Sequence, residues 1–462
     1  MFSAPLLWYP KMLGCDPSLH KGAMVVDKPT RITFFGGTRT IGGTICRVKT
    51  PSAQLVFDMG HVVRPASPMF SGPLRPRSTA DLRAVGILPD IPELYTHDQR
   101  GNLAICISHN HLDHTALLPY MANEISIFST KETCKILMLI SEAAIEDQPP
   151  LQLIGVEPEE WRSVGDLQFQ FVAVDHDTPG AAAIFISAPD MRLVYTGDLR
   201  FHGWRPEVSR AFVEKARRFE PDVLLIEGTR AGDEARPQVT EQELLRLIVE
   251  AMAGEARMVY FNAYPRHPER VLAFARAARE AKRLPVFEAR TLYVASHFTH
   301  GLPEDIHVWA DDELPDPVAR WLKDRGLPSL EASDVRKTPS AFAVELAYDR
   351  LWRLIDLGAA APGLYMHSNG APLGPFDPAW DNLQRWLAHF EVAFHAIGTS
   401  GHAALDEIEQ AIETIRPRVY LPIHSFHPER VIASGIPRVL PEERVDYTLS
   451  DLLAAASVAS RA

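Results

Sequence analysis

Ser108-His109-Asn110-His111-Leu112-Asp113-His114 places four metal-capable side chains within six residues, directly after the apolar run Leu103-Ala104-Ile105-Cys106-Ile107. The run predicts a strand ending at Ile107, and Ala116-Leu117-Leu118-Pro119-Tyr120-Met121 predicts the first turns of a helix. The motif therefore falls where a strand gives way to a helix. In an extended loop alternate residues face the same way, which would turn His109 and His111 toward one metal and Asp113 and His114 toward a second. An ordinary polar surface loop has little use for imidazoles and a carboxylate at this density. The stretch predicts a two-metal site.

Such a site needs more ligands than one loop supplies, and several apolar strands end in candidates. Asp58 closes Leu55-Val56-Phe57, His176 follows the run 171–175, and Asp198 closes Leu193-Val194-Tyr195-Thr196-Gly197. One polar residue at a strand end usually caps or turns the chain, so the recurrence is the informative part. Around these positions short strands are predicted over 32–35, 42–48, 54–57, 125–128, 168–174, 182–186, 193–195 and 223–226, with a helix over 131–145. Strands first and helices interleaved later indicate a layered α/β fold with helices outside.

From Thr240 the texture becomes strand and helix alternation, with helices over 241–253 and 268–282 and strands over 258–261 and 285–287. Residues 300–340, rich in proline and acid, read as a surface excursion. A strand over 364–366 leads into the turn His367-Ser368-Asn369-Gly370, and 392–397, 405–415 and 419–423 read as a strand, helix, strand unit ending at His424. The first 25 residues, with Pro5, Pro10, Gly14 and Pro17, read as an irregular arm. No internal repeat is visible, which excludes a solenoid.

At 462 residues the chain exceeds one ordinary core, so two domains are expected. No apolar run is long enough to span a membrane and no signal core follows a basic start, so the expected location is cytoplasmic, with no membrane partner. Cys15, Cys46, Cys106 and Cys134 are scattered without a CxxC pair, which excludes a disulfide framework and a cysteine zinc finger. The net charge of -12 argues mildly against nucleic-acid binding, yet residues 257–290 carry a local surplus of basic side chains, and 304–316 is acidic around Asp311-Asp312-Glu313.

With these residues in place, the chain resembles the metallo-β-lactamase fold hydrolases, whose signature is HxHxDH flanked by strand-end Asp and His ligands. The resemblance implies an αββα sandwich. It puts His109, His111 and His176 on one metal, Asp113 and His114 on the other, and Asp198 bridging both, with Asp58 orienting the motif loop. It also implies a hydroxide held between the two ions as nucleophile, because coordination lowers the pKa of water to about 7. Nitrogen and oxygen ligands suit zinc, with manganese compatible at one position.

Three downstream segments narrow the resemblance. Glu227-Gly228-Thr229-Arg230 ends the strand over 223–226, and Thr399-Ser400-Gly401-His402 and Pro422-Ile423-His424 follow much later. Their order resembles the β-CASP nucleases, and the last two are most similar to bacterial ribonuclease J. The resemblance pairs Glu227 with His402 and makes His424 a ligand of the second metal. His427 in the same loop is the rival, but His424 directly follows the apolar strand. Cleaving a phosphodiester needs a proton for the leaving 3' oxygen, which His402 held by Glu227 can supply. The insertion between them matches the α/β β-CASP domain that caps the site in this family. It divides the chain into a metallo-β-lactamase domain at 1–238 and 395–462 and an inserted domain at 239–394. Ser368-Asn369-Gly370 resembles a phosphate-holding segment, with Ser400-Gly401 as a second set of donors; small residues let backbone amides approach an anion. The same Ser-Asn-Gly equally suits a plain turn.

The chain departs from ribonuclease J at Gly398, where that family has a histidine associated with a 5'-phosphate pocket, and at Glu227, where it has Asp. Residues 425–462 are shorter than its C-terminal domain. The expectation is a metal-dependent ribonuclease acting on single-stranded RNA, as an endonuclease and/or 5'-exonuclease, with room for a homo-oligomer. The basic stretch and Phe261, Tyr264 and Phe287 would supply charge and stacking. Rivals are a nuclease for single-stranded DNA, a small-ester metallohydrolase and a partner-dependent RNA-binding processing factor. His202, His267, His297, His300 and His395 close no apolar strand beside a second ligand candidate and are left outside the site.

Overall fold

A computed structural model describes residues 28–62, 69–70, 74–96, 102–146, 151–233, 239–310 and 313–459. The arm read over the first 25 residues and the Asp311-Asp312 pair lie outside the described residues. Two sheets pack face to face. In the first, Ala53–Phe57, Asn102–Cys106 and Ser126–Thr130 run parallel, flanked by the antiparallel pair Arg31–Gly36 and Ile45–Lys49. In the second, Val223–Glu227 runs parallel to both Met191–Tyr195 and Val419–Ile423, and Ala182–Ala188 and Leu167–Ala173 continue antiparallel.

Alternation sets which face each strand buries. Along Leu167–Ala173, Leu167, Phe169 and Phe171 are buried while Gln168 is exposed, and the buried set meets Phe57, Ile184 and Leu225 between the sheets. The outer face of the second sheet, with Phe185 and Leu224, is covered by the helices Pro206–Phe219 and Leu405–Ile415 through Phe212, Ile408 and Ile412. Leu82, Leu94 and Leu118 cover the outer face of the first. Val223–Glu227 is buried throughout, which is why it reads as an unbroken apolar run.

The third sheet is parallel throughout, running from Ser329–Leu330 through His307–Trp309, Leu284–Phe287, Phe342–Glu345, Met258–Ala263 and Gly363–Ser368 to Val392–Ala396. The helix leading into it, Glu241–Gly254, starts at a capping box: Thr240 Oγ1 accepts from Glu243 N, and the Glu243 carboxylate accepts from Thr240 N. Two expectations are corrected. Residues 300–340 are not a surface excursion but supply the last two strands at one side of the sheet and the helix Asp316–Arg325, with Val308, Trp309 and Val318 buried. Strands of three and two residues are too short to show alternation. Val392–Ala396 pairs with Gly363–Ser368 and not with Val419–Ile423, so that strand, helix, strand unit is divided between two sheets. The helix Lys131–Glu142 joins the layers, turning Ile136, Leu139 and Ile140 onto Phe287 and Leu292.

Candidate metal centre

Asp58 follows its strand directly in left-handed backbone, φ 55°, a conformation that asparagine and aspartate tolerate better than most side chains. Its Oδ1 accepts from Ser108 N at 2.8 Å, and its Oδ2 accepts from Ser108 Oγ at 2.8 Å, Tyr195 OH at 2.6 Å and His114 Nδ1 at 2.7 Å. One buried carboxylate thus fixes both ends of the motif. With Nδ1 committed, His114 turns Nε2 to Asp198 Oδ2, 3.1 Å away. His424, left-handed at φ 52°, places Nδ1 2.8 Å from Thr229 Oγ1 and Nε2 3.2 Å from Asp113 Oδ2. A histidine in this region is strained by about 1–3 kcal/mol, a cost usually met at functional sites.

The helix after the motif begins earlier than expected. Leu112–Thr115 is already helical, and only a short turn, Leu118–Tyr120, occupies the expected helix. Asp113 and His114 therefore diverge from His109 and His111 because loop gives way to helix, not because extended residues alternate.

Two groups of ligand atoms result. Those of His109, His111 and His176 lie within 4.8 Å of one another, as do those of Asp113, His114, Asp198 and His424; an overlapping set joins Asp198, Glu227, His402 and His424. The donors fit divalent cations. His109 Nε2 and Asp198 Oδ1 are buried with no hydrogen-bond partner among the described residues, a costly state that a cation relieves. Burial, aided by the neighbouring His114, pushes His109 well below its ordinary range; burial likewise brings His111 down to about 3 and lowers His176. All three offer neutral lone pairs at pH 7. Burial opposes ionisation of Asp113 and Asp198, but the facing imidazoles outweigh it and hold both carboxyls well below the usual range.

Glu227, the last residue of its strand, accepts from Leu199 N at 2.9 Å through Oε1 and faces His402 Nδ1 at 3.0 Å through Oε2. Burial disfavours the imidazolium, yet Glu227 and Asp198 raise His402 to about 10. The two segments read as phosphate-binding also meet. Asn369 Nδ2 donates to Thr399 O at 2.8 Å, Ser368 Oγ accepts from Arg270 Nη1 at 2.8 Å, and Ser400 Oγ accepts from His402 N at 3.0 Å. Gly370 stands against Asn262, and the Gly401 carbonyl accepts from His176 Nδ1 at 2.5 Å.

Sequence reasoning missed Thr229, Tyr195, Asp177 and Arg266. Asp177 Oδ1 lies 3.5 Å from His111 Nε2. Arg266 is fully buried; its Nη1 donates to the Asn110 carbonyl between the two motif histidines, and its Nε and Nη2 grip Glu146 at 3.0 and 2.5 Å. The signal was the basic stretch; for its three buried members, Arg266, Arg270 and Arg283, the expectation of a substrate surface is corrected. Arg270 grips Glu241 at 2.9 and 2.6 Å, and Arg283 donates to the Met252 and Phe342 carbonyls. Phe261 stacks on Phe274 in the core with Phe287 beside it. Tyr264 alone of the three aromatics stands at the site, its ring 5.5 Å from that of His111. Of the excluded histidines, His202 holds the Ser400 carbonyl at 2.9 Å, and His300 and His395 are exposed.

A description of the β-lactamase superfamily domain matches residues 89–284, which contain His109, His111, Asp113, His114, His176 and Asp198. Ribonuclease J of Pyrococcus abyssi is 23% identical over 428 residues, covering 85% of this chain and 89% of that protein. The chain carries a β-lactamase superfamily domain and resembles ribonuclease J over most of its length. Among further relatives, ribonuclease J of Mycoplasma genitalium is 22% identical over 88% of this chain and 69% of its own length. The transcription termination factor FttA of Methanothermobacter thermautotrophicus is 26% identical over 50% of this chain and 37% of its own. A solved protein of unknown function from Enterococcus faecalis V583 superposes with a TM-score of 0.75 and 26% identity, covering 91% of this chain and 100% of that one. The fold family implies divalent metal ions. Among the described residues no helix is long and apolar enough to cross a membrane.

Proposed function

We propose that this hydrolase cleaves phosphodiester bonds of single-stranded RNA with two divalent ions, one held by His109, His111 and His176 and the other by Asp113, His114 and His424, with Asp198 between them. The observation that carries the reading is the Glu227–His402 pair, 3.0 Å apart beside both ligand groups. A hydrolase that only activated water would not need it. The ribonuclease J relatives support RNA as the substrate. Bound ions, zinc or with manganese at one position, would supply a nucleophilic water at neutral pH and neutralise phosphoryl charge.

The protein's own part is to position and to move one proton. Asp58 holds the motif loop and the His114 tautomer. As the phosphorus–O3' bond breaks, His402 gives its Nε2 proton to the leaving oxygen while Glu227 stabilises the ring through Nδ1, a contribution of roughly 10²–10⁴-fold. Ser368 and Ser400 accept internally through Oγ, which leaves their own hydroxyl protons, with the Asn369, Gly370 and Gly401 backbone, for a substrate phosphate. The two face-to-face sheets form the catalytic sandwich, and the layer of the third sheet, which extends to Ala396, forms one wall of the groove. A Cβ at Gly398 would stand 2.4 Å from Asn369 Oδ1, so a histidine there would have to displace the Asn369 side chain from its bond to the Thr399 carbonyl. Internal cleavage is therefore favoured over 5'-end recognition.

The test is cleavage of end-labelled RNA and single-stranded DNA bearing hydroxyl, monophosphate or triphosphate 5' ends, beside Asp113→Ala, with bound metal quantified. RNA cut by the parent and spared by the variant is expected. Equal cutting by the variant would dislodge the site, and hydrolysis of a small ester but of neither nucleic acid would dislodge the nuclease reading.

A further inference from the structure

The surroundings of His111 contain a group that the ligand set leaves unused. His176 commits Nδ1 to the Gly401 carbonyl, so its Nε2 is the free donor, and His111 Nδ1 lies 3.2 Å from it. Two nitrogens each about 2.0–2.1 Å from one tetrahedral zinc-sized ion stand about 3.4 Å apart. The pair therefore spans a cation with almost no rearrangement. His111 Nε2 must then carry the ring proton. Among the described residues it is buried without a hydrogen-bond partner, and so is Asp177 Oδ1; the two atoms lie 3.5 Å apart.

We propose that Asp177 is a positioning residue for the first metal, accepting the Nε2–H of His111 and so fixing the tautomer that leaves Nδ1 bare for the ion. The assignment rests on the dinuclear reading above. Metal-bound histidines commonly donate their second N–H to a carboxylate, which sets ring orientation and ligand basicity. Space for this carboxylate is made by Gly401, where a Cβ would stand 2.6 Å from Asp177 Oδ1. Attraction also reaches Asp177 from the buried Arg200. Arg200 in turn donates to Glu241 at 2.8 Å, the carboxylate that Arg270 grips. The first metal's ligand is thereby tied to a buried charged cluster shared by the sandwich and the insertion.

Direct ligation is the rival, since Asp177 Oδ1 is also 3.2 Å from His176 Nε2. The experiment is titration of the metal-stripped full chain with zinc and with cobalt(II), comparing the parent, Asp177→Ala and Asp177→Asn. The Asn amide oxygen can still accept from His111. Asp177→Ala is expected to weaken one of two ions by about 10–100-fold, with Asp177→Asn within a few-fold of the parent and carrying the parent's cobalt absorption spectrum. The metal-free forms should unfold at the same temperature. Parent-like binding of both ions by Asp177→Ala would overturn the assignment, as would an altered cobalt spectrum in Asp177→Asn, which would make the carboxylate a ligand. A parent that binds fewer than two ions would overturn the dinuclear reading itself, before any variant is compared.

Discussion

Buried charge is handled in opposite ways in the two halves of the molecule. In the third-sheet layer Arg353 meets both oxygens of Glu288 at 2.9 Å, and all three nitrogens of the Arg270 guanidinium are used by Glu241 and Ser368. In the sandwich His109 Nε2, His111 Nε2, Asp177 Oδ1 and Asp198 Oδ1 are buried with no hydrogen-bond partner among the described residues. Proteins rarely leave such groups unpaired, so a cluster of them marks where something else belongs. Paired charge around Glu241 and Glu288 organises the insertion; a cluster of bare ligand atoms equips the sandwich.

The strongest way to break this contrast is Asp198→Ala, which removes the carboxylate that faces His109, His114 and His424. Metal analysis and single-turnover cleavage should show weakened ion binding and a rate lower by on the order of 10⁴-fold or more. A loss under tenfold would mean the bare atoms are not a metal centre. His402→Ala should cost about 10²–10⁴-fold with metal content unchanged. Because Glu227 and Asp198 raise His402 to about 10, the parent's rate should fall on the alkaline side as that proton is lost. The pH profile of the variant should lack that limb.

On the other side of the contrast, Phe261→Ala should lower unfolding stability by about 3–5 kcal/mol while the folded fraction keeps its metals and its rate, because the ring packs on Phe274 and not on substrate. A selective loss of RNA affinity would restore Phe261 to the groove. The smallest effect sharpens the picture within the insertion. Burial, with Glu288 nearby, raises Glu345 from 4.5 to about 8. The folded chain keeps a proton there that the unfolded chain releases, so this stability is full below about pH 4.5 and is lost as pH rises through about 8. Denaturant unfolding at pH 5 and pH 8 should show that slope in the parent, and a shallower one in Glu345→Gln.

How much of this was legible in the sequence follows the same divide. The strand ends near Asp58, Asp198, Glu227 and His424 could be located because buried strands are unbroken apolar runs, and the recurrence of such ends, not any one polar residue, carried the signal. Asp177 could not, because it sits beside His176 like any turn residue, and only folding reveals that it faces His111. The basic stretch misled for a related reason: composition counts the charge of Arg266 and Arg270 but not the partners that bury them. His307–Trp309 and Ser329–Leu330 were lost because so few residues carry no period.

The Glu227–His402 contact bridges 175 positions of chain, and His424 lies further on still. Since chains emerge from the ribosome N-terminus first, a nascent molecule can fold its opening motif long before it owns either histidine. Under the proposed reading its chemistry is withheld until residue 424 has been made. Before His402 is made, the emerging chain can gather His109, His111, Asp113, His114, His176 and Asp198 around ions but has no proton to give a leaving oxygen.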